Sequence, residues 1–556
     1  SRLAFALRDP GSHARTIYSV QADGSGLKRL AAFDGTVVTL RYARNGTLAV
    51  LAVADADKEV GASEAGAVLV GDLGSRPVLE QRIAIVADGG LRWASPPDLN
   101  VYEYDWLPDG SGFVGTAEHG DGDANWWSAK LYAFDAASGT ARLLYAPTDR
   151  AQQLADPKVA PDGKSVAFIG GLMSDFDNVG GDAFVMPLAG DAPPRNITDG
   201  LRATVTSLLW SCTPGRVFAS LIAADRTELA DLDPAGGAPN VLWADEVSLQ
   251  ASNGAVSLAC AAATSATIRA SFAKAPEVAV GPLGHWRDIT SANATIPARL
   301  RALNVAWRSD DLDVQGWLLL PEAGATAPRT LKMITVVHGG PAYAYGPSFL
   351  GAGSMRALLE RGYALFLPNP RGSYGQGEAF TRANRRDFGH GDLRDILAGI
   401  DAAGRLAAID TVNLGITGVS YGGYMTVWAT TQTDRFKAAV ARAPISDWLS
   451  YYGTNGIGGW LIPYFGTSVY DDPGVYAHSS PIDFVKDAHT PTLLLVGERD
   501  IECPPSQSME FWHALKELGV PADLMIYPNE GHAFRDPAHA ADANRRASEW
   551  FDRYLR

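Results

Sequence analysis

The chain has 556 residues, 46 % of them hydrophobic and 20 % charged, with a formal net charge of −15. That length exceeds what one hydrophobic core organises, so two domains are expected. The acidic balance disfavours nucleic acid or an anionic membrane as partner, and no run approaches the roughly 18 apolar residues that a membrane span needs.

In chain order, Ser1 to Leu7 reads as a strand with no signal peptide before it, so an N terminus trimmed by processing is expected. Up to residue 292 short β-rich runs alternate with glycine turns, at Gly46, Gly110, Gly163, Gly215 and Gly254. The spacing, about 40 to 65 residues, is close to that of a four-stranded propeller blade. Residues 1–292 are therefore expected to form an all-β propeller of about six to seven blades, with a β-sandwich as the competing architecture. The acidic stretch Gly120–Asp123 reads as a turn, and no His/Cys set has metal-ligand spacing, so neither metal nor cofactor is expected. Cys212, Cys260 and Cys503 lie too far apart in sequence to suggest a disulfide framework. They fit a reduced compartment and leave an oxidising one open.

Over residues 293–556 the rhythm changes. Apolar runs at Met333–Val337, Ala364–Leu367, Leu414–Thr417, Lys437–Val440, Thr492–Val496 and Asp523–Tyr527 alternate with helical patterns, among them 392–406, 506–518 and 540–555. This alternation predicts a mostly parallel, doubly wound sheet, an α/β-hydrolase domain.

The strongest chemical signal is Gly418-Val-Ser420-Tyr-Gly422-Gly423, which follows one of these strands and precedes a helical run. A nucleophile elbow needs this context, because small residues let strand and helix crowd a strained turn that projects the serine. A serine hydroxyl needs a base and the base an orienting acid. His532 follows the strand ending at Tyr527, and Asp500 follows the strand ending at Val496. The order Ser420, Asp500, His532 is that of an α/β-hydrolase triad. Glu498 and Glu502 compete for the acid role, whereas His513 and His539 lie in helical patterns. The backbone N–H groups of Tyr421 and of Gly340, in His338-Gly-Gly-Pro341, are the expected oxyanion donors. His338 itself either shares that task or buttresses the loop.

The combination of propeller, His338-Gly-Gly-Pro341, Asn369-Pro-Arg-Gly-Ser-Tyr-Gly375, the Ser420 elbow, Gly497-Glu-Arg-Asp500 and Glu530-Gly-His532 resembles the prolyl oligopeptidase family of serine peptidases, in its acylaminoacyl- and dipeptidyl-peptidase-like branch. The resemblance implies a peptide substrate and a propeller that restricts access to the site. It also implies that Tyr421, Trp448 and Tyr451 wall a specificity pocket, unless Trp448 and Tyr451 are core aromatics. The family often places Asn or Arg two positions after the catalytic Asp, where this chain has Glu502, followed by Cys503. Glu502 is therefore expected either to favour a cationic or free-amine group or to turn away. No pair of glutamates of the kind that holds a dipeptide amine is apparent, Asp105 and Glu118 being only loosely placed. The phrases Gly497–Pro504 and Asp313–Leu319 are similar to lasso-peptide isopeptidases of the same family. An isopeptidase, an esterase on small acyl esters and a non-catalytic propeller binding protein remain as alternatives to a peptidase.

Overall fold

The computed structural model describes residues 2–9, 12, 14–55, 79–120, 123–176, 178–251, 254–322 and 330–555. Parts of the turns expected at Gly120–Asp123 and just before Gly254 therefore lie outside the described residues. The N-terminal half forms five antiparallel sheets among these residues, a five-bladed propeller, rather than six to seven blades. The difference arises at one long strand, Lys28–Tyr42. Its first half pairs with Ala14–Gln21 and its second with Leu48–Ala54, which merges two sequence units into one six-stranded sheet. Gly35 marks the change of partner, at φ 136°, where a Cβ would lie 2.1 Å from the Val53 carbonyl. Half-buried carboxylates stitch neighbouring blades together. Asp105 accepts the Val159 N–H at 2.9 Å, and Asp156 accepts the Leu208 N–H at 2.7 Å.

Cys212 and Cys260 form a disulfide, which corrects the expectation of unlinked cysteines. They are 48 residues apart, but they sit on successive blades, and the propeller brings their Cα atoms to 5.2 Å.

From Leu300 onward an eight-stranded sheet runs in the order 300–309, 312–321, 364–369, 331–337, 409–419, 436–442, 492–497, 522–527. The first two strands pair antiparallel with their neighbours and the remainder are parallel. Helices Gly391–Leu406, Tyr421–Gln432 and Pro505–Glu517 flank the sheet with Ser354–Glu360 and Pro537–Tyr554. Because the central strands are buried on both faces, they carry near-continuous apolar sequence. The helix from Tyr421 is buried at every position through Thr431, so it lies inside the domain rather than on its surface.

The two halves are joined by polar and apolar contacts. Tyr374 donates its hydroxyl to the Asn178 carbonyl at 2.8 Å, and the Gly375 N–H bonds Thr204 Oγ1 at 2.9 Å. Glu378 Oε1 accepts the Leu172 N–H at 2.8 Å, while Arg382 reaches Asp149 and the Ala151 carbonyl. A single apolar cluster runs from Trp126, Leu172 and Met173 of the propeller to Tyr421, Trp448 and Trp460 of the hydrolase domain.

Candidate active site

Parallel sheets place functional groups beyond the carboxyl ends of their strands, and the site is built there. Strand Ile409–Val419 ends at Ser420, whose φ of 61° and ψ of −121° lie in a region costly for a residue with a side chain. The neighbouring glycines permit this bend. A Cβ on Gly422 would lie 2.1 Å from the Val337 carbonyl, and one on Gly418 would lie 2.5 Å from Gly422. Tyr421 opens the helix, so its N–H has no carbonyl one turn back to bond.

Asp500 is buried directly after strand Thr492–Gly497. Its Oδ1 accepts the N–H groups of Glu502 and Cys503 at 3.0 and 2.8 Å, and its Oδ2 lies 2.8 Å from His532 Nδ1. The carboxylate thereby fixes both its own loop and the imidazole. Ser420 Oγ lies 4.0 Å from Cys503 Sγ and is not hydrogen-bonded to His532. The other imidazole nitrogen, Nε2, is instead 3.4 Å from Glu502 Oε2. Burial works to lower the His532 pKa, but the Asp500 and Glu502 carboxylates outweigh it and hold the group up at about 9. Burial keeps the Cys503 thiol well above its ordinary range, so it is a neutral neighbour.

Ser420, Tyr421, Gly340 and Glu502 line one cavity, together with Asp175, Trp127 and Phe176 of the propeller. Tyr451, Trp460, Ile445 and Ile457 form its apolar wall. Trp448, expected in that wall, is wholly buried behind it, packed on Tyr451, Trp460, Phe388 and Phe465. Trp460 and the propeller residues carry no local motif and were not expected from the sequence. Asp105 and Glu118 serve elsewhere, Asp105 at a blade seam and Glu118 in an ion pair with Lys130. Tyr421 Oη bonds the buried Asp392 carboxylate, which burial raises to about 7.

His338 is a buttress. Its Nδ1 lies 2.7 Å from the Gly339 carbonyl and its Nε2 2.9 Å from Ser373 Oγ, and burial pushes it down to about 4. Arg371 clamps the following loop through bidentate bonds to buried Asp395. The phrase Asp313–Leu319 lies within strand Leu312–Pro321, away from the cavity. Among the described residues no cluster of His, Cys, Asp or Glu is arranged to hold a metal ion.

Residues 352–556 match the family model described as prolyl oligopeptidase family. The uncharacterized peptidase YuxL of Bacillus subtilis (strain 168) is 38 % identical over 256 residues, covering 44 % of this chain and 38 % of that protein. The acylamino-acid-releasing enzyme of Homo sapiens is 29 % identical over 253 residues, covering 44 % of this chain and 34 % of its own length. The aligned region thus spans less than half the length of either curated relative. The Pyrococcus horikoshii acylaminoacyl peptidase structure superposes with a TM-score of 0.78 at 22 % identity, covering 100 % of this chain and 87 % of that one. At that identity the likeness establishes the fold.

Proposed function

Since residues 352–556 carry the prolyl oligopeptidase family domain, we propose that this chain is a serine peptidase that hydrolyses amide bonds of short peptides through an acyl-enzyme. The observation that carries this reading is the strained Ser420 at a helix N terminus, in one cavity with Glu502, whose carboxylate contacts an imidazole already oriented by buried Asp500. For acylation the Ser420 hydroxyl turns from Cys503 toward His532 Nε2 and displaces the Glu502 contact. Hydrogen bonds of this kind commonly tighten only once substrate is bound. His532 takes the serine proton as the Oγ–C bond forms, then gives it to the leaving amine as the C–N bond breaks. Asp500 holds the tautomer and stabilises the imidazolium, and the Tyr421 and Gly340 N–H groups receive the oxyanion. Water attack, with His532 as base, releases the acyl fragment.

The aromatic wall suits a compact apolar side chain at the cleaved residue. Asp175 and Glu502 both line this cavity, and their carboxylates favour a substrate with a free amine there. The propeller contributes part of this wall, so it limits the site to substrates that enter between the two halves. The test is a mass-spectrometric product profile on a pool of free-amine peptides, N-acylated peptides and an isopeptide-closed lasso peptide. Release of fragments from free-amine peptides is expected. Exclusive opening of the isopeptide ring would make the protein a dedicated isopeptidase, and hydrolysis of N-acylated peptides alone would remove the role given to Glu502.

A further inference from the structure

A second cavity, of about 180 Å³, lies on the other side of the elbow and shares no lining residue with the first. Gly339, Gly418 and Val419, which precede the oxyanion loop glycine and the serine, are among its lining. The body is mostly apolar, with Met355, Leu358 and Phe551 among its walls. Arg442 is its one cationic lining residue. This arginine ends strand Phe436–Arg442, lies in register with Val419, and its carbonyl accepts the Ser420 N–H at 3.1 Å.

The Arg442 guanidinium is poorly answered by the protein. Its Nη1 reaches Asn544 Oδ1 at a long 3.4 Å, and its Cζ stands 5.9 Å from the Phe534 ring centre. Among the described residues no carboxylate lies within 4.0 Å of it, although the chain has 62 acidic residues for 47 basic ones. By contrast, Arg371 is paired with Asp395 and Asp310, and Arg382 with Glu378 and Asp149. A half-buried guanidinium without a carboxylate partner offers an anion from outside a place to bind, because its fork of donors fits a carboxylate in two-point contact.

The geometry points to Arg442 as a specificity residue for the leaving side of the substrate, receiving the terminal carboxylate of a short departing peptide. The inference rests on the reading of Ser420 as nucleophile. Adjacent strands stand about 4.8 Å apart, so a side chain from this position works within roughly 10 Å of the serine. That is the span of two or three extended residues at about 3.4 Å each. The carboxylate takes no part in bond making. The C–N bond still breaks as the Oγ–C bond forms, and the proton still passes from His532 to the new amine. The two cavities together then read a short peptide by charge, the amine end on the Glu502 side and the acid end on the Arg442 side.

The experiment compares peptides of one sequence ending two residues beyond the cleaved bond, as free acid and as amide. Wild type is expected to favour the acid by roughly tenfold or more in kcat/KM, mostly through KM. Arg442→Gln is expected to bring the ratio close to one, and Arg442→Lys to keep part of it. Equal rates on acid and amide in wild type, or a ratio unchanged in Arg442→Gln, would overturn the inference while leaving the peptidase reading intact. Cleavage that persists in Ser420→Ala would instead defeat the peptidase reading. If wild type cleaves neither peptide, calorimetric binding of the pair to Ser420→Ala decides the matter, with tighter binding of the acid expected and equal binding contradicting it.

Discussion

Glu502 Oε2 stands 3.4 Å from His532 Nε2, the nitrogen opposite the one that binds Asp500. The imidazole is thus held between two carboxylates, and under the proposed mechanism only the Asp500 contact is compatible with accepting the serine proton. In that mechanism Glu502 couples two properties, the proton affinity of the base and the charge offered to substrate.

The first prediction concerns pH. His532 is held at about 9 against an ordinary 6.5, and only the neutral imidazole can act as base. The rate constant kcat/KM should therefore still be climbing well above neutrality. Glu502→Gln removes one of the carboxylate charges that stabilise the imidazolium, so the acid limb should move to lower pH. An acid limb already near 6.5 in wild type, or one that does not move in the variant, would refute the coupling.

The second separates the two tryptophans. Trp460 lines the cavity, whereas Trp448 is buried behind it. Trp448→Ala should cost about 3–5 kcal/mol of stability in denaturant titration. Trp460→Ala should act first on substrate choice, raising KM for peptides with a compact apolar residue at the cleaved position. Equal loss of stability in both, with unchanged KM in Trp460→Ala, would contradict this division.

The third tests the elbow. A methyl group at Gly422 would meet the Val337 carbonyl at 2.1 Å, a backbone atom that cannot rotate away. Gly422→Ala should destabilise the hydrolase domain by at least about 2 kcal/mol and abolish labelling of Ser420. Native stability with full reactivity would show that the helix can retreat.

The fourth concerns the seam between the halves. Burial raises the Glu378 carboxyl from 4.5 to about 7, despite the opposing pull of Arg382. Between these two values the folded protein binds more protons than the unfolded chain, so this group makes stability fall as pH rises through that window. Glu378→Gln should flatten that slope in denaturation midpoints measured across it. A slope that is the same in both proteins would remove Glu378 from the account.

Ser420, Asp500 and His532 stand out in the sequence because each sits beside a strand end with its own short motif, and the sheet carries all three to one edge. The departure at Glu502 is equally visible, but its contact with His532 Nε2 is not, since that depends on how two loops fold over each other. Asp175, Trp127 and Phe176 lie more than 240 residues before Ser420 and reach the cavity only because the propeller docks there. The Cys212–Cys260 link is hidden for a similar reason, as it requires two successive blades to stack. The blade count fails at the single strand Lys28–Tyr42, which runs from pairing with Ala14–Gln21 into pairing with Leu48–Ala54 and so joins the N-terminal hairpin to the first blade.

The central claim is that Ser420 is an activated nucleophile, and covalent labelling with a fluorophosphonate tests it most directly. One phosphonyl adduct per chain is expected by intact mass, located to the Ser420 peptide, absent in Ser420→Ala and strongly slowed in Asp500→Asn. A folded wild-type protein that takes up no label, or a Ser420→Ala variant that is labelled as well as wild type, would contradict the account.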